Sequence, residues 1–364
     1  MKLAIATLLA AIHLASAQSP IYDYSQCLPG TAPSSSQSAS APAPTATGGS
    51  NGSGLPFLGG VNTAGYDFSV ATNGSFTGPS SIPPASQYAH FAGQGANLFR
   101  IPWQEMTPTL GGSIDQSFFS TYDTTVQAAL ATGAYVIVDL HNYARWNGEV
   151  IGQGGPTNAQ FASIWSQLAA EYASTEKIIF GVMNEPHDLP DGTADWAQSV
   201  QAAVTAIRQA GATSQIILIP GSSYSSAQTL PTEAGPDLLK VTDPAGGVGK
   251  LVFDVHKYLD SDNSGTHADC VTNNVQVLTT LVQWLQENGN RQALLSETGG
   301  GNTASCETDL GQELAYVKSN SDSIVGFSVW AAGAFATNYV LSVTPFPNGT
   351  DQPLWVQAVQ PNLP

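Results

Sequence analysis

The chain has 364 residues, 42% of them hydrophobic and only 10% charged, enough to bury one large core or two ordinary ones. A formal net charge of −17 and a pI near 4.4 argue against nucleic acid or an anionic membrane as partner, because the protein's own field would repel both. A neutral substrate fits that balance better.

Residues 1–17 read as a secretory leader: Lys2, the apolar run Leu3 to Leu14, then Ala15-Ser16-Ala17 as a small-residue cleavage site before Gln18. No later stretch is apolar for long enough to span a bilayer, so a secreted, extracellular protein is expected. From 18 to 54 the composition shifts to Ser, Pro, Ala, Thr and Gly, with almost nothing that could pack, which predicts a disordered linker.

From Leu55 onward eight short apolar runs recur: 57–61, 97–101, 135–140, 178–183, 216–220, 251–255, 293–297 and 325–330. Between them lie segments such as TTVQAALATG and VQVLTTLVQWLQENG, whose apolar positions recur at helical spacing and which end near glycine. Apolar strands alternating with helices predict parallel βα units. Eight units over 55–364 suggest one α/β catalytic domain, a closed (β/α)8 TIM barrel, although an open doubly wound sheet gives a similar alternation.

What separates the two is where polar residues fall, since barrel enzymes carry their chemistry at the C-terminal ends of several strands. Here the second run ends in Arg100, and the third leads into His141 and Asn142. The fourth leads into Asn184 and Glu185, the sixth into His256 and Tyr258, the seventh into Glu297 and the eighth into Trp330. Singly, each histidine, the arginine, the tryptophan and the tyrosine has a plain structural reading. Two carboxylates at the rim of a low-charge core are different, because burying them is costly unless something pairs or uses them.

Two carboxyls about 5 to 5.5 Å apart can act on a glycosidic bond with net retention, one as acid and the other as nucleophile. Asn184 could hydrogen-bond a sugar 2-hydroxyl, Arg100 and a tyrosine hydroxyl could keep the nucleophile ionised, and Trp330 offers a flat apolar face to a pyranose.

GVMNEPHD resembles the Asn-Glu-Pro signature of glycoside hydrolase family 5, and LLSETGGG resembles the segment carrying that family's nucleophile. FRIPW, VDLHNYARWNG, FDVHKYLDSDNSGTH and SVWAAG follow in the expected order, so the resemblance covers 55–364. It implies a fungal endo-β-1,4-glucanase acting on β-1,4-glucan by double displacement, with Glu185 as acid/base and Glu297 as nucleophile. Arg100, His141, Asn142, Asn184, His256, Tyr258 and Trp330 form the implied supporting set, and Trp103, Tyr143 and Trp146 are further candidates for sugar subsites. No metal or organic cofactor is expected, since no HExxH or comparable cluster is present. An endo-β-mannanase and a non-catalytic polysaccharide-binding barrel remain as alternatives, and a monomer is expected.

The segment IYDYSQCLPG resembles the C-terminal tail of the small fungal cellulose-binding module; Tyr24, Ser25, Gln26 and Cys27 match, while the partner cysteines are absent. It reads as a vestige. Of three cysteines, Cys270 and Cys306 lie together in the C-terminal half and are expected to pair, leaving Cys27 over. Sequons at Asn51, Asn73 and Asn348 suit a secreted glycoprotein.

Overall fold

The computed structural model describes residues 52–364 apart from 76, 77, 79 and 105. The leader, Cys27, the sequon at Asn51 and all of the expected linker except its last three residues lie outside the described residues.

Eight parallel strands close into a barrel in the order of the chain: β1 Leu58–Ala64, β2 Leu98–Trp103, β3 Tyr135–Leu140, β4 Ile178–Gly181, β5 Ile216–Pro220, β6 Leu251–His256, β7 Ala293–Thr298 and β8 Ile324–Gly333. The TIM barrel is therefore the fold, and the open sheet is excluded. Among the described residues six helices of eight or more residues pack around it: α1 Ser86–Gly93, α2 Gln116–Leu130, α3 Asn158–Tyr172, α4 Thr193–Gln209, α5 Val275–Glu287 and α6 Ala304–Ser319. Thr157 and Gln160 form a reciprocal capping box at the start of α3, and the Asp115 carboxylate caps α2. Between β5 and β6 there are only two single-turn helices, Ser222–Ser225 and Gly235–Leu238. That segment is rich in Ser, Gly and Pro, and Ser223, Tyr224 and Ser225 all lie in the left-handed region.

Strand alternation sorts the barrel interior into layers. Leu58, Leu98, Ile137, Ile179, Leu218, Val252, Leu294 and Val325, one from each strand, form an apolar plug in the interior. Two residues further along several strands the same inward face carries Arg100, Asp139, Gly181, Asp254 and Ser296, all buried, and beside Gly181 the Asp139 carboxylate leaves little room for a side chain. A further step reaches His141 and His256 at the mouth. The apolar floor thus supports a polar floor, and the polar floor supports the site.

Cys270, in the loop after β6, is disulfide-bonded to Cys306 in the first turn of α6, as expected from their shared place in the C-terminal half. A side chain at Gly300 would run into both sulfurs, which accounts for one glycine of the Gly299-Gly300-Gly301 run. The bridge closes a separation of 36 residues. Replacing Cys270 by serine is expected to cost roughly 4 kcal/mol in the chain-entropy account. Denaturant unfolding of the two forms measures this, and equal stability would show that the bridge contributes nothing.

Candidate active site

Arg100 is the centre of the site. It is fully buried on β2, where its Nη1 donates to Asn62 Oδ1 at 2.9 Å and to Glu297 Oε1. Its Nη2 donates to Asn184 Oδ1 at 2.7 Å and pairs with Asp139 Oδ2 at 2.9 Å. One planar guanidinium therefore fixes four acceptors around the barrel mouth, an arrangement a lysine could not reproduce. Burial disfavours the charged guanidinium, but Asp139, Glu297 and Asp254 outweigh it and hold Arg100 in its cationic form.

Glu297 reaches the mouth through an irregularity in β7. Val255 pairs with Leu295 but His256 pairs with Glu297, so one extra residue is accommodated in β7 at this point. Regular alternation from Leu294 and Ser296 would turn Glu297 away from the interior; the bulge re-aims it. Its Oε2 accepts from Tyr258 Oη at 2.7 Å. Burial alone would raise the Glu297 pKa, yet His256, Arg100, His141 and the Tyr258 hydroxyl together lower it to about 2. The group is an anion throughout the working range.

Glu185 stands across from it, just beyond β4, with a left-handed backbone at φ 46°. That conformation is costly for a residue other than glycine or asparagine and is the kind of strain kept at functional positions. His256 Nδ1 lies 2.7 Å from Glu185 Oε1 and 3.5 Å from Glu297 Oε2. Donor atoms of Glu185, His256 and Glu297 all fall within 4.8 Å of one another. Burial opposes a charged His256, and the two glutamates overcome it and raise its pKa.

His141 leans on Asp139 Oδ2 at 3.0 Å, and its ring stacks on Trp330 with centroids 5.6 Å apart and 20° between planes. Trp330 Nε1 donates to Tyr339 Oη at 3.2 Å, and Tyr339 stacks on Phe335 at 3.8 Å, giving an aromatic wall on this side. Tyr224 stacks on His187 at 4.2 Å and is 43% exposed. Gly265 (φ 68°) passes beneath the Tyr258 ring, where any Cβ would clash with ring carbons.

Eight of the nine site residues expected from the sequence thus converge: Arg100, His141, Asn184, Glu185, His256, Tyr258 and Glu297 directly, and Trp330 through its stacking on His141. Asn142 does not. Its side chain lines a recess with Gln104, Trp146, Gln160 and Phe161. Trp103 is not a sugar platform either, since it is fully buried against Trp165 and Tyr122. Asn62, Asp139 and Asp254 belong to the site's support and were not anticipated. Asp139 and Asp254 each stand two residues before a site histidine, in VDLH and FDVH, and that repeated Asp-x-His was a usable signal.

Comparison with known proteins agrees with this geometry. A family model described as cellulase (glycosyl hydrolase family 5) matches residues 60–333. The manganese dependent endoglucanase Eg5A of Phanerodontia chrysosporium is 67% identical over 345 residues, covering 94% of this chain and 88% of that protein. The crystal structure of Cel5A (EG2) from Hypocrea jecorina superposes with a TM-score of 0.81 at 46% identity, covering 84% of this chain and 99% of that one. XacCel5A, solved in complex with cellopentaose, superposes with a TM-score of 0.76 at 33% identity over 84% of this chain and 99% of its own.

Proposed function

The chain belongs to glycosyl hydrolase family 5 and is an endo-β-1,4-glucanase that hydrolyses cellulose, and on that premise we propose that Glu185 and Glu297 cleave the bond by double displacement. The observation that carries the assignment is the asymmetry of the two carboxylates. Glu297 is held anionic by Arg100, His256 and the Tyr258 hydroxyl, as a nucleophile must be. Glu185 has only His256 on Oε1, which leaves Oε2 for the leaving oxygen.

In the first step Glu297 Oε attacks the anomeric carbon while Glu185 gives its proton to the glycosidic oxygen, so the aglycone departs as a neutral alcohol. Bond formation neutralises Glu297. Glu185, left as a carboxylate by the first step, then takes a proton from the water that attacks the glycosyl ester, and Glu297 leaves as the carboxylate. Asn184, fixed by Arg100, presents its amide nitrogen, buried and without a partner, for a sugar 2-hydroxyl. The Trp330 ring supports the pyranose face, and the bound substrate is a β-1,4-linked glucan. No observation favours mannan over glucan or a silent barrel.

The manganese in the relative's name invites a test of fit. Among the described residues two trios could converge on a cation: Glu185, His256 and Glu297, and Asp260, Asp262 and His267. In the first, Glu297 already carries the Arg100 cation, which would repel a second one. In the second, Asp260 Oδ2 already accepts from Ser264 Oγ, Thr266 N and His267 N. Neither trio fits a resident metal, and no step is assigned to one.

Secretion is supported by the disulfide and by the exposure of the Asn73 and Asn348 sequons in turns. Among the described residues no helix is long and apolar enough to cross a membrane. Early-time NMR of cellopentaose hydrolysis tests the mechanism: new reducing ends should appear first as the β anomer, and α anomer appearing first would exclude double displacement.

A further inference from the structure

Behind the nucleophile lies a carboxylate that the reaction as described does not use. Glu313, in the middle of α6, is fully buried. Thr298 Oγ1 hydrogen-bonds its Oε2 at 2.5 Å, and Asn274 Nδ2 donates to its Oε1 at 2.9 Å. Thr298 directly follows Glu297. Asn274, which starts α5 in a left-handed conformation, also donates to the Tyr258 carbonyl at 3.1 Å, and Tyr258 is the residue whose hydroxyl holds Glu297.

A helix position facing the core would ordinarily be apolar, because a buried carboxylate costs more than a leucine unless its hydrogen bonds are needed. Here the two bonds tie α6 to the chain on both sides of the nucleophile. We propose that Glu313 is a positioning residue: in its neutral form it braces Glu297 through Thr298 and braces Tyr258 through Asn274, and its ionisation sets the alkaline limit of the glycosylation step.

The chemistry of the two forms explains why charge would matter. A neutral Glu313 can share its proton with Thr298 Oγ1 while accepting from Asn274. An ionised one can only accept, so the Thr298 hydroxyl must turn its hydrogen toward it, and both neighbours are drawn to a buried charge. Thr298 on β7, Asn274 on α5 and Lys257 after β6 are the polar and charged groups that face it, Lys257 being the cation. Burial raises the Glu313 pKa to about 7 even though all three pull it down. The folded state therefore favours the protonated acid. Its contribution to stability is full below the ordinary carboxylate range and is lost as pH rises through about 7.

This inference rests on Glu297 as nucleophile, and the test separates the two. The probe is 2,4-dinitrophenyl β-cellobioside, whose leaving group needs no proton, so the alkaline limb of kcat/KM does not report Glu185. In the wild type kcat/KM should fall as pH rises through about 7. Glu313→Gln, which cannot ionise, should stay level across that range. Lys257→Gln removes the cation that favours the ionised form and should move the fall to higher pH. Melting temperatures across the same range check that Glu313 titrates: the wild type should lose stability there and the glutamine variant should not. An alkaline limb unchanged in Glu313→Gln overturns the proposal. Should that variant fail to fold, an unchanged limb in Lys257→Gln overturns it instead. If Glu297 resists a mechanism-based label, the nucleophile assignment fails independently of either profile.

Discussion

Glu297→Ala is expected to fold and to lose hydrolytic activity by on the order of 10^5 or more, because nothing else near the anomeric carbon can form the covalent ester. Arg100 keeps Asp139 as a partner, so the deletion leaves the buried guanidinium paired once rather than orphaned. The cavity left by the carboxylate admits a small anion. With 2,4-dinitrophenyl β-cellobioside, added azide should restore turnover and give the α-glycosyl azide, since attack now comes from the face the carboxylate occupied. Product as β-azide, or no rescue with the fold intact, would contradict the assignment. The same residue has a stability signature. Its folded pKa is depressed to about 2, so its contribution is present above the ordinary carboxylate pKa and is lost as pH falls through about 2; the alanine variant should lack that acid-side loss.

Glu185→Gln should show a loss that depends on the leaving group. On cellopentaose, whose departing oxygen is a poor leaving group, the glycosylation rate should drop by about 10^2- to 10^4-fold, the usual worth of general acid catalysis. With the dinitrophenyl glycoside the same rate should change little, while deglycosylation slows for want of a base, so a burst followed by a slow steady state is expected. Pre-steady-state absorbance of released dinitrophenolate reads both steps. Equal losses on both substrates would mean that Glu185 positions the substrate and transfers no proton.

The starts of all eight strands were legible in the chain, because a parallel strand buried on both faces is a continuous apolar run, and a helix between two such runs has its own period. The rim residues were legible for the same reason: a charged or aromatic group just after such a run stands out. What could not be read was parity. Arg100 lies inside β2 rather than at its end, and the strand continues to Trp103, whose burial removes it from the subsites. Asn142 looked equivalent to its neighbour His141, yet both stand just past the end of β3, where strand alternation no longer says which side chain enters the mouth. Glu297 fits no regular alternation and depends on a bulge that leaves no mark in composition. Glu313 sits in a helix of ordinary polar appearance, where a glutamate reads as solvent-facing until packing shows it is not.

The assignment of Glu297 as the attacking group can be tested by trapping. Protein incubated with 2,4-dinitrophenyl 2-deoxy-2-fluoro-β-cellobioside should gain the mass of one fluoroglycosyl unit, release one equivalent of dinitrophenolate and lose activity in step. After proteolysis the label should lie on the peptide that contains residues 293–298, at Glu297. A label on Glu185, or complete turnover of the reagent with no adduct at any ratio, would contradict the account.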